Sequence, residues 1–343
     1  MRLKENMRNM EIVLNKYVES SRFRDGMGIS RGAELYLEPL ARGEYNINYT
    51  FIHPDSEEKY VLRVNTESQM QLENQIEYEY RALKSLESTG RTPKAYYVDD
   101  KRDMLPFGVL VMQYLKGRSL DYYKDMDKAA AIFADIHGSS TENAGFLITP
   151  PDPLGAMLEE CKAMAEVYLR SPMADEDVKR TINEFIDIVE SKLCKHREAA
   201  GKLNIINTEV NSGNFIINDS AKEYYLVDWE KPILGEAAQD LAHFLAPTTT
   251  YWKTDVILTL EQQSDFLKTY TERTGESGRY DELLDRVKLY LPFNCLRGIT
   301  WCSMAWMQYS SDDKLIKNED TFKKIKSYLS DDYLHMVESR YFK

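Results

Sequence analysis

The chain is expected to be an α+β protein with a small sheet-rich N-terminal lobe and a larger helical C-terminal lobe. Three observations predict this class. Up to about residue 113 the chain reads mostly as short strands. After Tyr114-Leu115-Lys116-Gly117 the apolar spacing becomes that of long helices, interrupted only by a hairpin near residues 215–228. The length, 343 residues, exceeds one compact core and suits two. Strands first and helices afterwards is the order of a segregated α+β fold. We place the boundary within residues 112–118, giving an N-lobe of residues 1–115 and a C-lobe of residues 116–343.

The elements follow in order. Residues 4–21 have helical spacing. Strands are expected at Ala33–Pro39, Asn46–His53 and Lys59–Asn65, the last two joined by the turn-forming Pro54-Asp55-Ser56. A helix is expected over Gln69–Ser88, stopped by Gly90 and Pro93. Further strands fit Lys94–Val98 and Gly108–Gln113. In Tyr60-Val61-Leu62-Arg63-Val64, alternation sends Val61 and Arg63 to one face and the apolar Tyr60, Leu62 and Val64 to the other. On the following helix Leu72, Ile76, Leu83 and Leu86 form a stripe that includes Glu79. A carboxylate on a core-facing stripe needs a partner, and Arg63 is the evident one. A structural salt bridge and a functional pair both satisfy that need.

Composition narrows the function classes. The net charge of −12 argues against nucleic acid, which requires clustered Lys and Arg, and it suits a cationic small molecule. The charged start MRLKENMRNMEIVLNKY has no signal-peptide core, and no apolar run reaches the ~18 residues of a membrane span. The four cysteines, Cys161, Cys194, Cys295 and Cys302, form no CxxC pair, so we expect reduced thiols, a cytoplasmic protein and no zinc site. There is no GxxxxGK[ST], the glycines of residues 26–32 miss the GxGxxG spacing, and no GxSxG elbow supports hydrolase chemistry.

The most informative stretch is Asn207-Thr208-Glu209-Val210-Asn211-Ser212-Gly213-Asn214, followed by a β-rich hairpin that ends at Val227-Asp228-Trp229-Glu230. Antiparallel pairing brings the residue before the first strand beside the one after the second, so Asn214 and Asp228 share an open end. An amide oxygen and a carboxylate make a plausible half-shell for Mg²⁺. Glu209 enters the same end, where a carboxylate can orient or deprotonate an attacking hydroxyl. A surface hairpin with polar ends is the plain alternative.

On these residues the chain resembles the aminoglycoside phosphotransferase and choline kinase-like superfamily. That pattern is HGDxxxxN, a strand pair, then DW or DWE. Asn207-Thr208-Glu209 stands for HGD, while Gly213-Asn214 and Val227-Asp228-Trp229-Glu230 are kept. Gly235 and Asp240-Leu241-Ala242 look like the family's stretch that buttresses the loop. The resemblance, which runs from about residue 33 to 245, implies a two-lobed protein-kinase-like fold and ATP-dependent transfer of phosphate to a hydroxyl of a small molecule. It implies ATP, or another nucleoside triphosphate, and Mg²⁺ held by Asn214 and Asp228. Arg63 and Glu79 would hold the phosphates, with Arg replacing the more familiar Lys. Val61, the turn at Gly43 and the hinge residues Gln113, Tyr114 and Leu115 complete the expected nucleotide site.

Glu209, one methylene longer than the family's Asp, is the expected catalytic residue. Asn207 in place of His removes a group that usually braces the loop. Two readings stand: an active enzyme, which we favour, or a nucleotide-binding pseudokinase. For the acceptor the candidates are Glu230, Trp252, Trp301 and Trp306, with Tyr251, Tyr309, Glu159, Glu160 and Asp255 as supporting groups. Aromatic faces with carboxylates suit an ammonium group. No membrane or nucleic-acid partner is expected, and a monomer and a homodimer are equally open.

Overall fold

The computed structural model describes residues 2–43, 45–68, 70–195, 201–310 and 318–343. Glu44, Gln69 (the first residue of the helix expected over 69–88) and residues 311–317 of the charged tail lie outside the described residues. The chain forms two compact units. One comprises Met1–Arg118, Glu142–Leu147 and Ile216–Pro232, and the other comprises Ser119–Thr141, Ile148–Phe215 and Ile233–Lys343.

In the first unit, α1 (Arg2–Val18) and α2 (Ser21–Met27) precede a five-stranded antiparallel sheet. Its strands are β1 (Glu38–Arg42), β2 (Asn46–Ile52), β3 (Lys59–Asn65), β4 (Ala95–Asp99) and β5 (Gly108–Gln113), in the order β1-β2-β3-β5-β4. One face buries Tyr49, Phe51, Tyr60, Leu62, Val64, Val109 and Val111 against Leu14, Tyr17, Val18 and Phe23 of the two helices. These are alternate residues of three strands, so period-2 patterning alone puts them on one side. The opposite face, with Val61 and Arg63, is left for α3 (Gln75–Leu86).

Two elements differ most from expectation. The strand expected at 33–39 forms instead at 38–42, because the hairpin register pairs Glu38 with Thr50 and Arg42 with Ile47. The carbonyls of Ser30 and Ala33 accept from the buried Arg24 guanidinium instead of from a strand. The helix begins at Gln75, six residues after its expected start, and Leu72 lies ahead of it with its N–H on Ser68 Oγ. That serine side chain offers the backbone a turn in place of a helical bond.

The chain passes through β6 (Arg118–Ser119) into the second unit, which begins with α4 (Met126–His137), α5 (Pro153–Leu169) and α6 (Glu176–Lys195). Strand β7 (Leu203–Ile206) precedes the catalytic-loop candidate. The hairpin β8 (Phe215–Asn218) and β9 (Glu223–Leu226) follows, and its residues from Ile216 onward belong to the first unit. Strand β10 (Ile233–Glu236) returns to pair antiparallel with β7. The rest is α7 (Ala237–Leu245), α8 (Pro247–Lys253), α9 (Leu260–Arg273), α10 (Tyr280–Ser310), α11 (Glu319–Tyr328) and α12 (Asp331–Val337).

The long α10 packs against α5 and α7. Phe133, Phe215, Phe244 and Phe266 form a ring cluster with centroids 5.1–6.2 Å apart. Phe215 directly follows Asn214, so the core anchors that residue from one side. Within the described part of the C-terminal tail, Ile325, Tyr328, Tyr333, Leu334 and Val337 are buried. Among the described residues no helix is long and apolar enough to cross a membrane. All four cysteines are unpaired, and three of them are buried.

Candidate active site

The first unit contributes a buried ionic cluster. Arg63 and Glu79 are 6% and 1% exposed, and Arg63 Nη1 donates to Glu79 Oε1 at 2.6 Å. The ion pair expected from alternation and helical spacing is therefore present. The same Nη1 donates to Asp228 Oδ1 at 3.0 Å, and Nε donates to Asn48 Oδ1 at 3.1 Å. The second terminal nitrogen, Nη2, has no partner among the described residues. Burial works to lower the pKa of Arg63, but Glu79 and Asp228 outweigh it and hold the guanidinium charged. Burial pushes Glu79 up, with Arg63 and the Trp229 backbone N–H opposing.

Around this cluster, contacts far apart in sequence pin the Asp-Trp-Glu segment. Asn46 Nδ2 donates to the Glu230 carboxylate, Gln75 Nε2 donates to the Glu230 carbonyl at 2.6 Å, and Tyr78 OH donates to the Pro232 carbonyl at 2.6 Å. Trp229 is fully buried and its indole N–H donates to the Leu226 carbonyl. Asp228 takes φ 65°, in the left-handed region. Asn46, Asn48 and Gln75 are the residues that sequence reasoning missed. Their only local signal is polarity on strand or helix positions that would otherwise be apolar.

The remaining nucleotide candidates also lie in this unit. Val61 is buried beside Arg63 on the α3 face of β3. Gly43 closes the β1–β2 turn, with its N–H on the Asn46 carbonyl at 2.9 Å. Its φ is not positive and a Cβ would meet only ordinary contact, so the backbone does not demand glycine there. At the hinge, the Gln113 N–H is committed to the Lys94 carbonyl at 2.8 Å. Tyr114 and Leu115 follow the end of β5 and carry the hinge backbone that is not engaged in that strand pair. Gly117 is required: a Cβ would stand 2.7 Å from the Ile217 carbonyl oxygen, so only glycine lets the hinge approach the β8–β9 hairpin this closely.

The second unit holds the loop that follows β7. Asp240, fully buried at the start of α7, accepts from the backbone N–H of Asn207 and of Thr208, both at 2.8 Å. His137 is buried as the last residue of α4, with Gly138 capping. Its ring nitrogens lie 3.1 Å from Tyr270 OH and 3.5 Å from Asp240 Oδ2. Asn207 proves to be a brace and not a lost one: it is fully buried and its Oδ1 accepts from Glu209 N–H at 3.0 Å. Asn214 Nδ2 donates to the Glu209 carbonyl at 2.7 Å, which leaves Oδ1 as its remaining polar atom. A hard divalent cation takes oxygen donors of this kind.

The acceptor candidates divide. Trp252 stands edge-on to Trp301 with centroids 5.0 Å apart, and Trp306 stands edge-on to Tyr168 at 5.5 Å. All three tryptophans are half-buried. The supporting acids already face cations: Glu160 accepts from Nε and Nη2 of Arg297, Asp255 from Lys324 and Glu159 from Lys162. Arg297 also feels Glu209, and the two glutamates outweigh burial in keeping it charged.

With this geometry in hand, comparison with known proteins defines the class. The sequence profile of the phosphotransferase enzyme family matches residues 37–283, and the chain belongs to that family. Among solved structures it is similar to choline kinase from Cryptosporidium parvum, at 11% identity over 96% of this chain and 95% of that one, with a TM-score of 0.65. Plasmodium vivax ethanolamine kinase is similar at 16% identity over 92% and 86%, with a TM-score of 0.62. A spectinomycin phosphotransferase in complex with ADP and spectinomycin is similar at 13% identity over 91% and 94%, with a TM-score of 0.61. At these identities the likeness is one of fold, and the fold is kinase-like. A search of curated protein sequences gives no match.

Proposed function

We propose that the chain is an ATP- and Mg²⁺-dependent phosphotransferase that acts on a hydroxyl group of a small molecule. The observation that carries this reading is the buried Arg63 guanidinium, held by Glu79, Asp228 and Asn48 with its Nη2 edge uncommitted. A buried, charge-locked guanidinium with a spare edge suits a phosphate oxygen. Glu79 keeps Arg63 in place, Gly43 turns over the phosphates, and Val61 with the hinge at Gln113, Tyr114 and Leu115 receives the base. The division into lobes at residues 115 and 116 belongs to the same proposal, as does a cytoplasmic location.

Asn214 and Asp228 flank the same hairpin and would hold the cation, whose charge would stabilise the transferring phosphoryl group. The donor set fits: Asn214 has given its N–H₂ to Glu209 and has an oxygen to offer. Glu209 then accepts the proton of the attacking hydroxyl. Trp252, Trp301 and Trp306 are the acceptor-facing candidates. We assign Glu230 to bracing, because both its carboxylate and its carbonyl are engaged by Asn46 and Gln75. Because Glu159, Glu160 and Asp255 face their own cations, we infer an acceptor recognised through its hydroxyls and apolar surface more than through an ammonium group.

The test is transfer of labelled γ-phosphate from ATP, with Mg²⁺, across a panel of amino alcohols, aminoglycosides, sugars and nucleosides. Transfer to at least one acceptor is expected, and Glu209→Ala should slow it by at least about 100-fold. MgATP binding with no transfer to any acceptor would make the protein a nucleotide-binding pseudokinase instead.

A further inference from the structure

The buried guanidinium at position 63 sets a hydrogen-bonding problem that a lysine would not. Arginine brings five N–H donors in a rigid plane, one of them on Nε, whereas a lysine brings only its terminal ammonium. Each buried donor needs an acceptor. In the β2–β3 pair Asn48 lies directly across from Arg63, and its Oδ1 accepts from Nε at 3.1 Å. The two Nη1 donors go to Glu79 and Asp228 at 2.6 and 3.0 Å. Three acceptors on two edges of one plane fix its rotation completely, and the edge left over is Nη2.

We propose that Asn48 is a positioning residue for the triphosphate site, and that it decides which edge of Arg63 is offered to an anion. The inference rests on the proposed function and adds to it a residue matched to arginine at position 63. Remove the Nε acceptor and the guanidinium is free to roll. It can then face Glu79 with two parallel N–H groups, the preferred geometry of an arginine–carboxylate pair, which withdraws Nη2 from the phosphate. The neighbouring amides do not substitute for Asn48. Asn65 Nδ2 donates to Asn46 Oδ1 at 3.0 Å, and Asn46 in turn donates to Glu230.

The experiment is a double-mutant cycle with the full chain: the parent protein, Asn48→Leu, Arg63→Lys and the double variant. Dissociation constants for MgADP are measured by calorimetry, and unfolding temperature is followed in parallel. In the arginine background Asn48→Leu should weaken MgADP binding by about tenfold, the scale of one hydrogen bond to a charged group. In the lysine background, which has no Nε–H, the same change should alter binding less than about twofold. Equal losses in both backgrounds, or no loss in either, would overturn the proposal. A parent protein that binds no MgADP would instead refute the proposed function. The unfolding data then decide the inference, since additive effects of the two substitutions would mean that no coupling between residues 48 and 63 exists.

Discussion

Glu79→Leu is expected to destabilise the protein by about 3–5 kcal/mol, the usual consequence of stripping one partner from a buried ion pair. The cause is the charge left behind. Arg63 is itself buried, and its remaining carboxylate contact, Asp228, is the longer of the two. Leucine fills the volume and removes the acceptor, so the guanidinium must either lose its charge, which arginine does not do, or draw water into the space between β3 and α3. Urea unfolding monitored by Trp fluorescence measures the loss. Removing both charges with Arg63→Met and Glu79→Leu should recover most of it, because matched apolar pairs replace buried ion pairs at little cost. A single-variant loss below about 1 kcal/mol would mean that the pair is solvated as a surface pair is, contrary to its burial.

Asp240→Ala should cost about 2–5 kcal/mol, because it orphans two backbone N–H groups that now bond to a carboxylate at 2.8 Å inside the core of the second unit. A local readout accompanies this. Amide hydrogen exchange at Asn207 and Thr208 should accelerate by more than about tenfold beyond any global change, since these donors lose the carboxylate that accepts from them. Asp240→Asn separates geometry from charge. Its one carbonyl oxygen can serve one of the two N–H groups, so an intermediate loss is expected, with one of the two amides still protected. Unchanged exchange at both positions in the alanine variant would show that the loop is held by something other than this carboxylate. Phosphoryl transfer, where detected, should fall with loop order in the same sequence of variants, because Glu209 hangs from this backbone through Asn207.

Much of this was legible in the sequence, and the reasons are local. The placement of Arg63 opposite α3 follows from two-residue alternation in β3, and Glu79 follows from its position among Ile76, Leu83 and Leu86. Both patterns depend on neighbours a few residues away. The start of α3 was misplaced because Leu72 falls on the same stripe by spacing, although Ser68 diverts its backbone. The first strand was misplaced because its limits come from register with β2 and not from its own composition. Asn46 and Gln75 could not be assigned, since their partners on the Asp-Trp-Glu segment lie 184 and 155 residues away. Asn207 was misjudged for a subtler reason. Comparison with a histidine motif suggests a missing brace, while the asparagine side chain makes a short-range bond of its own.

The left-handed backbone at Thr208, φ 70°, has a consequence for the energetics of this loop. A β-branched residue in that region is a genuine outlier, with a cost on the order of 1–3 kcal/mol. In the HGD pattern, this is the place held by glycine, which adopts the conformation freely. Asp240 accepts from the Asn207 and Thr208 N–H groups and Asn207 from Glu209 N–H, and these bonds restrain the bend. Glycine at 208 would adopt this conformation without that cost, so Thr208→Gly is expected to relieve strain while leaving the bend in place.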